Sequence, residues 1–350
     1  MARRSCHRAA PTTRLRDGES RGYAPIREFP IITPGQGHAM QLRNRITAML
    51  GIEMPVIQAP MGWIARAPLA SAVSNAGGMG IIETSSGELD VIRAEIRRMR
   101  ELTDRPFGVN IAQAFVRDPG IAQFVIDQGV KFVTTSAGSP ERHTAELKAG
   151  GLTVFHVVPT LKAALKAVDA GVDGLVVEGA EGGGFKNTRD VSSMVLLPLI
   201  RSRVDVPIIA AGGFVDGRSM AAAFALGAEG VQLGTRMVSA AESPVHRNWK
   251  DAIVAAAETD TVFLNRFHGP ALRALRTART SRMERTLENT FNEFGDVQAL
   301  YFGGDMEAAV PLTGQVAGRI DSVQPVAQIL AQIREEFFAV LGGLAHEYVD

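Results

Sequence analysis

Val206-Pro207-Ile208-Ile209-Ala210-Ala211-Gly212-Gly213-Phe214 and, one helix-length further on, Gly230-Val231-Gln232-Leu233-Gly234-Thr235-Arg236 decide the fold. Each is a short apolar run that ends in a glycine turn, and Ser219–Leu226 between them has helical composition. Runs that are apolar throughout, instead of alternating, suit a parallel sheet covered on both faces. The same unit repeats back along the chain. Strands are expected at Pro55–Ala59, Met79–Glu83, Phe107–Ala112, Phe132–Ser136, Val154–Val158, Gly174–Glu178, Val206–Ala211 and Gly230–Leu233. Helices are expected at Pro68–Asn75, Glu88–Leu102, Ile121–Gln128, Glu141–Ala149, Leu161–Ala170, Met194–Arg203 and Ser219–Leu226. Alternating β and α units imply right-handed crossovers. Eight of them in about 185 residues fit a closed (β/α)8 TIM barrel of the α/β class better than an open sheet. The barrel is assigned to residues 40–238.

Around it lie three further segments. Residues 239–307 are mainly polar and read as a smaller helical insertion after strand eight, a lid whose charge-rich part, Arg273 to Glu288, suits a solvated helix face. Residues 308–350 close on the barrel, with Ile320–Leu341 as a helix beside the first strand. Residues 1–39 carry seven arginines and several prolines without helical or strand period, and read as a disordered tail. Asp17 and Glu19 and the lack of an amphipathic stripe argue against a transit peptide, and no apolar core of a secretory signal occurs.

The 350 residues balance 37 Lys and Arg against 37 Asp and Glu, so no electrostatic argument favours nucleic acid or an anionic membrane. The apolar runs are too short to span a bilayer. Cys6 is the single cysteine, which excludes an intrachain disulfide and a thiolate nucleophile in the barrel. No ligand-spaced His/Asp/Glu cluster suggests a metal. The cytoplasm is the expected compartment, and a homo-oligomer stays open.

Ligands of this fold bind on the loops after the strands, with phosphate commonly held after strands seven and eight. Gly212 and Gly213 in one turn, with Gly234 and Thr235 in the next, allow close backbone approach and offer N–H and hydroxyl donors. Strand six runs into Glu178-Gly179-Ala180-Glu181-Gly182-Gly183-Gly184-Phe185, a glycine loop that leaves room for a planar ligand and does not match GxGxxG. Strand one ends in Gln58-Ala59-Pro60-Met61-Gly62, another compact turn. Asn110 lies in an apolar strand, where its amide needs a partner.

Gln58-Ala59-Pro60-Met61, Asn75-Ala76-Gly77-Gly78-Met79-Gly80, Gly108-Val109-Asn110, Glu178-Gly179-Ala180-Glu181-Gly182-Gly183, Ala211-Gly212-Gly213 and Gln232-Leu233-Gly234-Thr235-Arg236 occur in this order. Together they resemble the nitronate monooxygenase (2-nitropropane dioxygenase) family, whose relatives include flavin-dependent enoyl-ACP reductases and NADH:quinone reductases. The resemblance runs from about Met40 to Leu341. It implies FMN, with Ala59, Pro60 and Met61 along the isoalloxazine, Asn110 and Gly183 near the cofactor, and Glu178 where the family commonly has Gln. Gly212 and Gly213, with the run Gln232, Leu233, Gly234 and Thr235, are implied to hold the phosphate.

One position departs from the family. In its nitroalkane-oxidising members, and in the related enoyl reductases, the strand-six loop reads Glu-Ala-Gly-Gly-His, and here the histidine position holds Phe185. General acid–base help is worth about 10²–10⁴-fold, and phenylalanine supplies none. A nitroalkane needs deprotonation, whereas a nitronate is already an anion, so within the family reading nitronate is favoured. Candidate stand-ins are His156 in strand five, Lys186 next to Phe185, and His268 in the insertion. The expected activity is FMN-dependent oxidation of alkyl nitronates with O2. The alternative is NAD(P)H-dependent reduction of quinones or enoyl thioesters, and a third is a phospholigand or flavin binder without turnover. An inosine-monophosphate-type dehydrogenase fails for want of an active-site cysteine.

Overall fold

The computed structural model describes residues 42–348 apart from 117 and 287. The tail expected at residues 1–39 lies outside them. Eleven strands occur among the described residues: β1 (Val56–Gln58), β2 (Gly80–Glu83), β3 (Phe107–Ala112), β4 (Phe132–Ser136), β5 (Thr153–Val158), β6 (Gly174–Glu178), β7 (Gly184–Lys186), β8 (Ile208–Ala211), β9 (Gly230–Leu233), β10 (Thr261–Leu264) and β11 (Ala271–Leu275).

Eight of them form one parallel sheet in the order β1-β9-β8-β6-β5-β4-β3-β2. A parallel bridge between Ile57 and Met79 joins its two edges, with Met79 N donating to Val56 O at 2.9 Å and Gln58 N to Met79 O at 3.0 Å. The ring is therefore the (β/α)8 barrel expected from the repeating units, and its strands are buried nearly throughout. Inside it Ile57, Ile81, Phe132, Phe155, Val176 and Ile209 pack together with Ile46 and Leu50. The last two come from the helix Arg45–Leu50, which covers the N-terminal end of the barrel and is fixed there by Asn44 and Arg45 bonding to Glu229. Glycine closes several helices as expected, with φ +88° at Gly77 and +96° at Gly227.

The segment after β9 carries helices, among them Arg247–Val254, Ala278–Thr286 and Val297–Tyr301, and also an antiparallel hairpin that the sequence analysis does not anticipate. Its strand β11 is buried at all five positions and pairs on its other side with β7, giving a second sheet in the order β10-β11-β7. The expectation of a solvated helix face from Arg273 onward thus fails for Arg273–Leu275. It holds better for Ala278–Thr286, where Thr280 and Met283 are the buried residues. The closing helix is Val326–Tyr348, and it packs on the helices Gly217–Ala225 and Ala67–Asn75.

Candidate active site

A cavity of about 1010 Å³ opens at the C-terminal ends of the barrel strands. This is at the upper end of the usual range for ligand pockets, about 300–1,000 Å³. Its walls bring together Ala59, Pro60, Met61, Asn110, His156 and Glu178 with Gly183, Phe185, Lys186, Gly212, Gly213, Gln232, Gly234 and Thr235. Leu233 is buried beneath it, its carbonyl accepting from Ala59 N at 2.9 Å. His268 is exposed in the insertion and outside the cavity lining.

At the end of β8, Gly212 and Gly213 take φ +82° and +90°, which favour glycine, and a Cβ on Gly212 would lie 2.7 Å from the Gly179 carbonyl. The neighbouring turn after β9 holds Thr235, whose hydroxyl oxygen accepts from Gly314 N at 2.8 Å and so keeps its own proton to donate. Gln232 is 7 % exposed and its Oε1 has no partner among the described residues. A buried acceptor left open costs about 1–3 kcal/mol unless something fills it. Backbone room, a free hydroxyl proton and an open acceptor on one wall fit a phosphate-bearing cofactor with hydrogen-bonding ring edges. Asn110 is held from within the barrel, its amide 2.9 Å from the Thr134 hydroxyl and its backbone carbonyl accepting from Thr84.

The candidates for acid–base work are differently disposed. His156 is 3 % exposed, with Nδ1 at 2.7 Å from the Thr135 hydroxyl, and burial pushes its pKa down to about 4, leaving it neutral. Lys186 donates from Nζ to Glu178 Oε1 at 2.6 Å and to the Phe185 carbonyl at 3.2 Å. Its side chain is 4 % exposed, so this ammonium is committed to Glu178. The Phe185 ring lies 5.0 Å from that of Phe115 and 6.0 Å from that of Phe291.

Several residues of the site had no sequence signal. Glu83 at the end of β2 is fully buried; it accepts from the backbone of Trp63, Ser85 and Ser86 and pairs with Arg66 at 2.9 Å. It shapes the turn whose Trp63, Ser85 and Ser86 line the cavity. The insertion contributes Trp249, Tyr301 and Phe294, and the chain beyond it contributes Gly314. Arg273 of β11 donates to Ala180 O at 2.7 Å and Arg266 pairs with Asp190 through both nitrogens at 3.0 Å. Glu181 O accepts from Gln315 N at 2.9 Å, so the loop after β6 is fastened both to the insertion and to the chain beyond it.

The fold and the cavity together define a (β/α)8 barrel with a ligand site at the strand ends suited to a phosphate-bearing cofactor. The profile of the family described as nitronate monooxygenase matches residues 43–122 and 115–336, and the chain belongs to that family. A Mycobacterium tuberculosis protein named (3aS,4S,5R,7aS)-5-hydroxy-7a-methyl-1-oxo-octahydro-1H-indene-4-carboxyl-CoA dehydrogenase is 39% identical over 241 residues, 68% of this chain and 67% of that one. The nitronate monooxygenase of Paraburkholderia phytofirmans is 30% identical over 279 residues, 67% of this chain and 76% of that one. The solved structure of FabK from Thermotoga maritima superposes with a TM-score of 0.83 at 39% identity, covering 87% of this chain and 99% of FabK.

Proposed function

We propose that the chain holds FMN in the cavity at the barrel mouth and reduces an enoyl thioester at the expense of NAD(P)H. The finding that carries this reading is the similarity to the M. tuberculosis CoA dehydrogenase, and the wall at Phe185 is compatible with it. Where the family resemblance expects a histidine there is an apolar ring, and the adjacent Lys186 is spent on Glu178 at 2.6 Å. A nitronate is an anion and is favoured by a cation beside it, a role Lys186 does not offer and that falls to Arg189, which also lines the cavity. A thioester is neutral and tolerates that wall. FMN, when bound, supplies the two-electron chemistry. Gly212, Gly213, Gly234 and Thr235 hold its phosphate, while Ala59, Pro60 and Met61 bound the space for its ring system. Gln232 Oε1 is the acceptor left for a ring N–H. The name of the M. tuberculosis relative specifies a coenzyme A thioester, and at 39% it is more similar than the Paraburkholderia monooxygenase at 30%.

The test is anaerobic. NADH or NADPH is added to the yellow holoenzyme, the bleaching of the flavin is followed, and crotonyl-CoA is then added. Rapid bleaching followed by return of the colour is the expected result. No return with thioester, but rapid oxygen uptake on a preformed alkyl nitronate without any nicotinamide, moves the protein to the second reading, nitronate oxidation. That reading has its own support, since a nitronate needs no proton removed and Phe185 does not bar it.

A further inference from the structure

Four phenylalanines from three distant segments meet at the outer wall of the cavity. Phe115 follows β3, Phe185 is the centre of β7, and Phe291 and Phe294 belong to or adjoin the turn of 3-10 helix Thr290–Glu293 in the insertion. Phe185 and Phe291 stack at 6.0 Å between centroids with planes 4° apart, and Phe291 and Phe294 at 6.0 Å and 7°. Phe115 closes on Phe185 at 5.0 Å, tilted by 42°. Phe115, Phe185 and Phe294 line the cavity. Phe115 is 42% exposed, so an apolar ring faces open space where burial would be favourable.

Two of these contacts are parallel and offset and the third is tilted, and Phe115 at the end of the row keeps surface open to a further ring. Aromatic contacts of this kind are worth about 0.5–1.5 kcal/mol beyond the area they bury. The backbone behind the wall is firm. Phe185 is in register with Leu272 of β11, and the loop carrying it is tied to the insertion through Arg273 and Ala180. A firm apolar platform selects by shape, because its rotamers need not be ordered on binding. Phe185 and Phe294 pack with one side on the apolar core of the second sheet and, with Phe115, still face the cavity.

We infer that Phe115 and Phe185, backed by Phe291 and Phe294, are the specificity-determining platform for a substrate bearing a flat aromatic ring next to its reacting group. A short unbranched chain covers too little of this wall to be held well. The inference rests on the thioester reading only for its first pair of probes.

The experiment measures binding to the holoenzyme by calorimetry, with no turnover required. One pair of probes is 3-phenylpropanoyl-CoA and butanoyl-CoA, both saturated; the other is the nitronates of 2-phenylnitroethane and nitroethane. The ring-bearing member of a binding pair is expected to bind about tenfold more tightly. Phe115→Ala and Phe185→Leu should each reduce that ratio to about threefold or less. Affinity for the ringless member should change far less. Ring preference in the nitronate pair, with neither thioester bound, keeps the platform and overturns the thioester reading. Equal affinity for both members of each pair, or variants that weaken both members alike with unchanged flavin absorbance, overturns the platform.

Discussion

In the sequence Glu178 stands as a cofactor contact and Lys186 as a stand-in for the missing histidine, and their pairing at 2.6 Å changes both. Breaking a pair in which one member is buried leaves its charge uncompensated, at a cost of about 3–5 kcal/mol when burial is complete. The Glu178 side chain is 24% exposed, so solvent offsets part of this. Glu178→Gln is therefore expected to destabilise the protein by roughly 1–3 kcal/mol. Glu178→Gln with Lys186→Met should recover much of the loss, since no charge is then stranded. Chemical unfolding of the two single variants and the double gives the coupling, and a purely additive result would show the pair to be inert. His156 makes a second prediction. Its folded pKa, about 4, lies below the ordinary value of 6.5, so the unfolded chain takes up a proton first as pH falls. Its contribution is fully present above pH 6.5 and is lost on the way down to about pH 4, amounting to roughly 3 kcal/mol. Denaturation of His156→Gln at pH 7.5 and pH 4.5 should show a smaller difference between the two pH values than the parent does. The same burial removes it as a cationic donor at neutral pH.

At the level of elements, the barrel was legible because each strand and each helix stop is a local event. Continuous apolar runs, glycine turns and helical composition alternate within short windows, and the parallel ring follows from their order. The hairpin β10–β11 was not legible. Ala271-Leu272-Arg273-Ala274-Leu275 has the composition of a helix, and what makes it a strand is a partner far away in sequence, β7 at Gly184–Lys186. Propensity yields to such tertiary pairing. Arg273 looked like a solvated charge for the same reason: its acceptors, Ala180 O and the Thr261 hydroxyl, are supplied by other elements. Arg273 is 8 % exposed and its guanidinium lies 5.0 Å from the Phe263 ring centroid, so its removal costs packing as well as hydrogen bonds. Arg273→Ala should free the loop after β6 from the insertion. Limited proteolysis is expected to cut between residues 180 and 190 at least tenfold faster, and flavin affinity should fall with it. An unaltered cleavage rate would mean that β7–β11 pairing and the Arg266–Asp190 and Glu181–Gln315 contacts hold the loop without Arg273.

Across the whole molecule, the cavity is built from both ends of the chain and from the insertion. Ala59 follows β1, Gly212 and Thr235 follow β8 and β9, and Trp249, Tyr301 and Gly314 come after the barrel is complete. A ligand that touches all of them links their stabilities, because it binds the folded protein and not the unfolded chain. At a concentration about 1,000 times its Kd such a ligand adds about 4 kcal/mol. For a chain of this size that is a rise in Tm of roughly 6 °C. If the glycine turns after β8 and β9 grip a phosphate, the contribution must depend on the phosphate. FMN added to flavin-free protein is therefore expected to raise Tm by this amount, and riboflavin, which presents the same ring without the phosphate, by less than half as much at equal concentration. Gly213→Val, which forces a β-branched residue into φ +90°, should bring the FMN shift down to the riboflavin level. Equal shifts for FMN and riboflavin in the parent protein would instead put the anchoring on the ring, at Ala59–Met61 and Gln232, and would leave the two glycine turns as structure alone.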